Sequence, residues 1–290
     1  MGVLSRIEVI TVVIRGPSKL LYHIPILAGC LIMLYPLIWM FFSSFKDNTE
    51  IFTSSSLFPS KITFDNYLQG WKGVSGVTFG TFFTNTFYVT GMSIVGTLIS
   101  CSMAAYAFSR LDFALKKVFF AIMLTTLMLP FHVTVIPQYI MFNKLGWINT
   151  YLPLYLPKFF AVEGFFIFLI VQFIRSLPRE LDQAAAIDGC GPIRMYWYLI
   201  LPLTLPALIT TTIFTFIWTW NDFFSQLLYL SDIRLFTVAL GLRMFTDSTG
   251  ESSWGALFAM SLLSLIPVFL MFIFFQRYLI EGIAAGGVKG

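Results

Sequence analysis

The chain reads as an all-α membrane protein with six transmembrane helices, and three observations predict that class. Of its 290 residues, 58 % are hydrophobic and only 11 % are charged. Soluble domains run near half apolar and about a quarter charged. The mean hydropathy is +0.83. Six apolar stretches, at 22–45, 82–108, 117–141, 152–174, 205–228 and 255–277, have the length of about 20 residues that a helix needs to cross hydrocarbon. Too few charges remain to cover a water-facing globule. That excludes a soluble enzyme, a disordered chain and a nucleic-acid binder. The pI of about 8.9 then reflects loop charge bias, not a nucleic-acid footprint.

Arg15 and Lys19 precede the first stretch. That stretch is too long for a signal-peptide core and no small-residue cleavage site follows, so it reads as a retained span. Residues 7–14 are apolar between Arg6 and Arg15, the pattern of a short helix along the inner interface. The segment from Lys46 to Gly80 holds Pro59, Asp65, Asn66 and several glycines, and is too polar for lipid. Residues 1–81 thus form an N-terminal segment, a first span and an outer loop. Residues 82–278 form a core of five helices, with an inner loop at 175–206. Residues 279–290 are a tail.

An even number of spans puts both termini on one side. With the termini inside, eleven basic residues face the cytoplasm: Arg6, Arg15, Lys19, Arg110, Lys116, Lys117, Arg175, Arg179, Arg194, Arg277 and Lys289. Six lie outside: Lys46, Lys61, Lys72, Lys144, Arg234 and Arg243. The positive-inside rule then predicts an N-in, C-in arrangement. Lys158 belongs near a membrane edge, where it can snorkel.

Nothing in the sequence carries catalysis. His23 and His132 are far apart, and the nucleophile-elbow, zinc-protease and phosphate-loop motifs are missing. Cys30, Cys101 and Cys190 show no metal or redox spacing and read as small packing residues. If ATP drives this protein, another chain binds it.

The inner loop is the most informative segment. Pro178 suits a first helical turn, and Glu180 and Asp182 suit the positive end of the dipole. Ala184, Ala185 and Ala186 favour helix, and Gly189 suits the left-handed residue that ends one. Pro192 starts a second short helix through Tyr198 to Leu201. The pattern predicts a helix–turn–helix knuckle over 178–201 with a small-residue face. An ordinary amphipathic loop is the simpler alternative.

Polar groups inside spans are costly and mark cavities or pathways. In the fifth span, Trp218 lies roughly 20 Å and Asn221 roughly 24 Å above Leu205 at the helical rise, and Trp218 and Asp222 share a face at i,i+4. An indole offers a flat apolar surface to a ligand ring, and Asn or Asp can bond ligand hydroxyls. An interfacial aromatic belt with a capping Asn is the alternative for Trp218, Trp220 and Asn221. His132 lies between Pro130 and Pro137 in the third span, where broken helical bonds need protein or a wet cavity; a packing histidine is its alternative. Glu163 sits roughly 10–15 Å inside the fourth span, as a pathway group or a structural pair with another helix.

The segment Gln183-Ala184-Ala185-Ala186-Ile187-Asp188-Gly189, nine residues, then Leu199-Ile200-Leu201-Pro202 resembles the EAA loop of ABC importer permeases. Gln183 stands where that family has Glu, and Leu199 where it has Ile. Tyr35-Pro36, Ser43-Ser44-Phe45-Lys46, Asp65-Asn66-Tyr67, Asn85, Ala105-Tyr106-Ala107-Phe108, Pro130 with Pro137, and the tail from Gly282 to Gly290 extend the likeness over most of the chain. It is to the MalG-like type I family of binding-protein-dependent carbohydrate permeases. Leu156-Pro157-Lys158-Phe159-Phe160, Trp218-Thr219-Trp220-Asn221-Asp222-Phe223 and Ile187-Asp188-Gly189-Cys190 resemble the branch handling acidic oligosaccharides such as alginate and pectic fragments.

The resemblance implies one transmembrane half of an ATP-driven importer, in a bacterial inner membrane. A second, similar permease completes the pore. Two ATPase subunits bind the ATP and magnesium, and an extracytoplasmic binding protein delivers the oligosaccharide. The loop residues Glu180, Gln183, Ala184, Ala185, Asp188, Gly189 and Pro202 would form the coupling helix between spans four and five. Gly286, Gly287 and Lys289 would reach the ATPase dimer. Both partners would bias one equilibrium between two pore states. The competing class is an ion-coupled secondary transporter using Glu163 or Asp222.

Overall fold

The computed structural model describes residues 18–247 and 253–287. Residues 7–14, with their expected interfacial helix, and Lys289 lie outside the described residues. Helices dominate and there is no strand among the described residues, only a single bridge between Val74 and Val77. In order they are α1 Ser18–Ser43, α2 Asn48–Thr53, α3 Asp65–Lys72, α4 Phe79–Arg110, α5 Lys116–Thr126, α6 Phe131–Lys144, α7 Gly164–Ser176, α8 Glu180–Ile187, α9 Leu205–Trp220, α10 Phe224–Tyr229, α11 Val238–Asp247 and α12 Trp254–Gly287. Four helical segments are individually long and apolar enough to cross a membrane, and two bent pairs raise the number to as many as six.

Helix α4 is the axis of the molecule. It packs on α7, α9 and α11 and on the 3-10 segment Leu156–Phe160. Its buried face carries Thr86, Thr90, Ser93, Gly96, Thr97 and Ser100, and α9 answers with Thr210, Thr211, Thr215 and Thr219. In lipid, apolar area gives helices no reason to associate, so small residues that permit close backbone approach do the work. Some of the hydroxyls bond locally, Thr86 donating to Phe82 O and Thr211 to Ala207 O, while those of Thr90, Ser93, Thr97 and Thr215 have no partner among the described residues. Gly96 lies where the Phe159 ring presses on α4, with Phe159 Cδ2 2.6 Å from where a Cβ would stand.

Residues 117–141 do not form one straight helix. α5 and α6 meet at 102°, because Pro130 has no N–H to continue α5 and instead opens α6 from an extended conformation. Residues 152–174 are broken as well. A single turn Leu152–Tyr155 runs into the 3-10 segment, Ala161 takes a left-handed φ of 55°, and only then does α7 begin. Residues 205–228 are cut at Trp220. There Asn221 Nδ2 turns back to Ile217 O at 2.8 Å, and Asp222 Oδ1 accepts from Ser225 N at 3.1 Å. Side chains of this kind offer the backbone a turn in place of a helix. The tail begins as a continuation of the last helix. Helix α12 continues to Gly287, consistent with the helix propensity of Ala284 and Ala285.

At the end holding the 46–78 loop, the segments 43–46 and 65–67 meet. Asn66 Nδ2 donates to Ser44 O at 2.8 Å and Lys46 O at 2.7 Å, and the Tyr67 and Ser44 hydroxyls lie 2.9 Å apart. Lys46, expected among exposed loop charges, is buried and donates to Ser56 O. Glu50 accepts from Ser60 N and Oγ, and these donors hold its carboxyl below the usual range. Asn85 likewise clamps the backbone, donating to Arg234 O and Phe236 O at 2.9 and 2.8 Å. The cysteines divide: Cys101 is in the core, Cys190 is partly covered and Cys30 is exposed, so the packing role fits Cys101 best.

Candidate functional site

Two features stand out, a cavity where α9 ends and a knuckle at the other end of that helix. The cavity, of about 430 Å³, is lined by Lys158, Glu163, Trp218, Thr219, Asn221 and Asp222 among others. It adjoins a second, more apolar one of about 640 Å³, bordered by Phe131, Trp147 and Tyr229, and the two share Leu154, Lys158, Glu163 and Asp222. Sizes of this order suit a small-molecule site.

The breaks in the helices create this place. Lys158 comes from the 3-10 segment, which Ser100 holds by donating its hydroxyl to Lys158 O at 2.6 Å. Glu163 is the residue before α7 begins. Lys158 Nζ lies 3.5 Å from Glu163 Oε1 and donates to Thr219 Oγ1 at 3.3 Å. The lysine therefore turns inward across the broken span and does not snorkel. The partner of Glu163 comes from its own span and not from another helix.

Trp218 is half exposed beside Phe165, Phe166 and Phe214, leaving indole surface for the cavity. Asp222 is not one helical turn beyond Trp218, because α9 has ended, yet both line the same cavity. Trp220 lines neither cavity. It is buried, stacks on Phe216 and donates Nε1–H to Ser264 O at 3.1 Å. Its role is therefore in packing α9 on α12. His132 also lines neither cavity; it is exposed, with its ring 5.8 Å from Phe224.

Sequence reasoning missed Gln226. It is buried, lines the cavity, receives the Thr237 hydroxyl and donates to Thr219 O at 3.5 Å. An amide in an apolar run was the available signal.

The knuckle forms much as its residues predict. α8 covers Glu180–Ile187, starting two residues after Pro178, and Gly189 takes φ 77°. Gly189 N–H reaches Ala186 O at 3.1 Å and Cys190 N–H reaches Ala185 O at 2.9 Å. That pair of bonds is a Schellman closure. Pro192 then opens a short turn to Met195, a π segment runs Tyr196–Ile200, and Pro202 follows in Leu201–Leu203. The whole arm bends by 73° against α9.

Glu180, Gln183, Ala184, Asp188, Gly189 and Pro202 are exposed and Ala185 is half covered. Ile187 and Ile193 stand bare at 86 % and 77 % exposure. An apolar patch rimmed by polar residues marks an interaction surface.

The knuckle hangs from the end of α4. Arg110 Nε lies 2.8 Å from Asp182 Oδ2, an ion-pair contact whose N–H is off line, and Arg110 Nη2 donates to Leu177 O at 3.0 Å. Tyr106 OH donates to Pro192 O at 3.0 Å, and the Ser102 and Tyr196 hydroxyls lie 2.8 Å apart. From sequence Asp182 reads only as a helix-dipole charge and Arg110 only as an inner-side charge.

The comparisons with known proteins agree with this architecture. Residues 96–283 match the family "binding-protein-dependent transport system inner membrane component". The probable ABC transporter permease protein YurM of Bacillus subtilis is 36 % identical over 88 % of this chain and 84 % of its own. The trehalose/maltose transport system permease protein MalG of Thermococcus litoralis is 33 % identical over 94 % of this chain and 99 % of its own. In fold, the chain resembles part of a bacterial ABC transporter involved in import of the acidic polysaccharide alginate. There the TM-score is 0.80 at 24 % identity, covering 91 % of this chain and 98 % of the other. These relatives are transport permeases, not enzymes. This chain belongs to the family of inner-membrane components of binding-protein-dependent transport systems.

Proposed function

We propose that this sugar-permease homologue spans the membrane six times, N-in and C-in, and passes an oligosaccharide from an extracytoplasmic binding protein to the cytoplasm by alternating access. The observation that carries the reading is the cavity where Lys158, Glu163, Trp218, Asn221 and Asp222 converge, separated from an exposed knuckle by the length of α9. A second permease completes the pore. Two ATPase subunits, which hold the ATP and magnesium, dock on Gln183, Ala184, Ala185 and Ile187, and Gly286, Gly287 and Lys289 reach their dimer. Residues 82–278 serve as the transporting core.

An acidic cargo, alginate or oligogalacturonide, is the finer reading that the resemblance of 156–160 and 218–223 suggests, and the cavity's lysine, already paired with Glu163, weighs against it. Ion coupling on Glu163 loses support from the same pair. The knuckle has no part in ion coupling.

The test is co-purification of the ATPases with this chain and ATP-driven uptake in proteoliposomes. Ala184→Leu adds bulk to the docking face and should abolish association or uptake while membrane insertion persists. Gln183→Glu reports whether charge at that position strengthens docking in a salt-sensitive way. Transport by the purified permease pair without ATPases would overturn the importer reading.

A further inference from the structure

We propose that this chain's cavity selects for an uncharged sugar ring and against uronate, and that Asp222 is the residue that sets the preference. The inference rests on reading the cavity as part of the sugar path. Lys158, Glu163 and Asp222 are the charged groups in the two adjoining linings among the described residues, and both linings contain all three.

Lys158 is engaged twice, by the Glu163 carboxylate at 3.5 Å and the Thr219 hydroxyl at 3.3 Å. The second carboxylate, Asp222, pairs with no cation among the described residues. One of its oxygens is occupied, because Oδ1 accepts from Ser225 N at 3.1 Å. The remainder of the group borders both cavities, so it can accept from sugar hydroxyls. One lysine against two carboxylates leaves one net negative charge. A uronate entering there meets an unbalanced like charge where the effective dielectric is far below that of water. A neutral ring meets Trp218 on one face and acceptors at its edge. Donors come from Asn221 and from whatever capacity of Lys158 remains.

The test uses the importer assembled with its partner permease and ATPases. The probes are trisaccharides of galacturonate, mannuronate, guluronate and glucuronate, each paired with its carboxyl-reduced neutral twin. Linkage and ring shape are thus held constant while charge changes. The readout is the tryptophan fluorescence change that disappears in Trp218→Phe. The expected result is that at least one neutral twin binds about tenfold more tightly than its acid, with the gap shrinking at high salt.

Asp222→Asn keeps the oxygen that caps Ser225 and should close most of the gap by improving binding of the acid. Glu163→Gln should act in the same direction, because it frees Lys158. Acids binding as tightly as their twins in the unaltered protein would overturn the inference, and so would a gap that neither substitution changes. Failure of every probe to give a Trp218-dependent signal would overturn the sugar-path reading itself.

Discussion

Arg110 at the end of α4 sits 2.8 Å from Asp182 in the first turn of α8, and both side chains are largely buried, at 4 % and 17 % exposure. The longest buried helix of the core is thus tied directly to the knuckle. Removing one partner of a buried pair leaves an uncompensated charge, which costs about 3 kcal/mol or more. Arg110→Ala should lower the thermal midpoint of the purified complex and uncouple ATP hydrolysis from uptake. Arg110→Ala combined with Asp182→Ala should recover much of the stability but not the coupling. Equal loss of stability in the single and double variants would remove the ion pair from the account.

Gly189 tests the turn. A Cβ there would meet nothing within 4 Å, so a substitution acts through backbone conformation alone. Gly189→Val forces a β-branched residue to φ 77°, at a cost of about 1 kcal/mol or more. It should reorient α8 and weaken co-purification of the ATPases. Gly189→Asn tolerates the left-handed region and should couple nearly normally. Two variants that behave alike would dismiss the backbone argument.

Trp218 and Trp220 lie two residues apart and should fail differently. Trp218→Ala removes indole surface from the cavity, so uptake should fall while the complex stays assembled. Trp220→Phe deletes the buried indole donor to Ser264 O, a loss of roughly 0.5–1.5 kcal/mol for one hydrogen bond. It should lower the thermal midpoint and leave the dependence of uptake on sugar concentration unchanged. Asn221→Ala should follow Trp218→Ala. The reverse assignment would return Trp218 to an aromatic-belt role.

Gly96 controls Lys158 at a distance. Gly96→Ala places a methyl group against the Phe159 ring, and overpacking of this kind costs about 1–3 kcal/mol. The 3-10 segment should shift and take Lys158 with it. Uptake should fall, and Gly96→Ala combined with Phe159→Leu should restore part of it. Full uptake in Gly96→Ala alone would show that the segment has room to move.

Topology is tested at the C-terminus. A reporter fused after Gly290 should read as cytoplasmic, given eleven basic residues on that side against six on the other. An extracytoplasmic signal there would reverse the arrangement and place the knuckle on the wrong side for an ATPase.

The amino-acid sequence by itself determined the membrane class, the main apolar stretches and the knuckle. Each of these is written locally. Hydropathy accumulates along a single stretch, and Pro178, the alanines and Gly189 set start, propensity and stop within about three helical turns. Trp218, Asn221 and Asp222 were also legible, as costly polar groups in an apolar run.

Only the tertiary structure decided which way those groups face. Trp218 opens to the cavity while Trp220 packs on α12, a distinction hidden in the sequence because both are indoles two residues apart in one hydrophobic stretch. Only the fold turned Lys158 inward to Glu163 and Thr219, joined Arg110 to Asp182, and set Asn66 under the Ser44 and Lys46 carbonyls. The prolines announced breaks but not their angle or what would fill them. In lipid the backbone and every polar side chain must find a protein or wet-cavity partner. The partners that shape the site, Lys158 with Thr219 and Arg110 with Asp182, are tens of residues apart in sequence, where no local rule reaches.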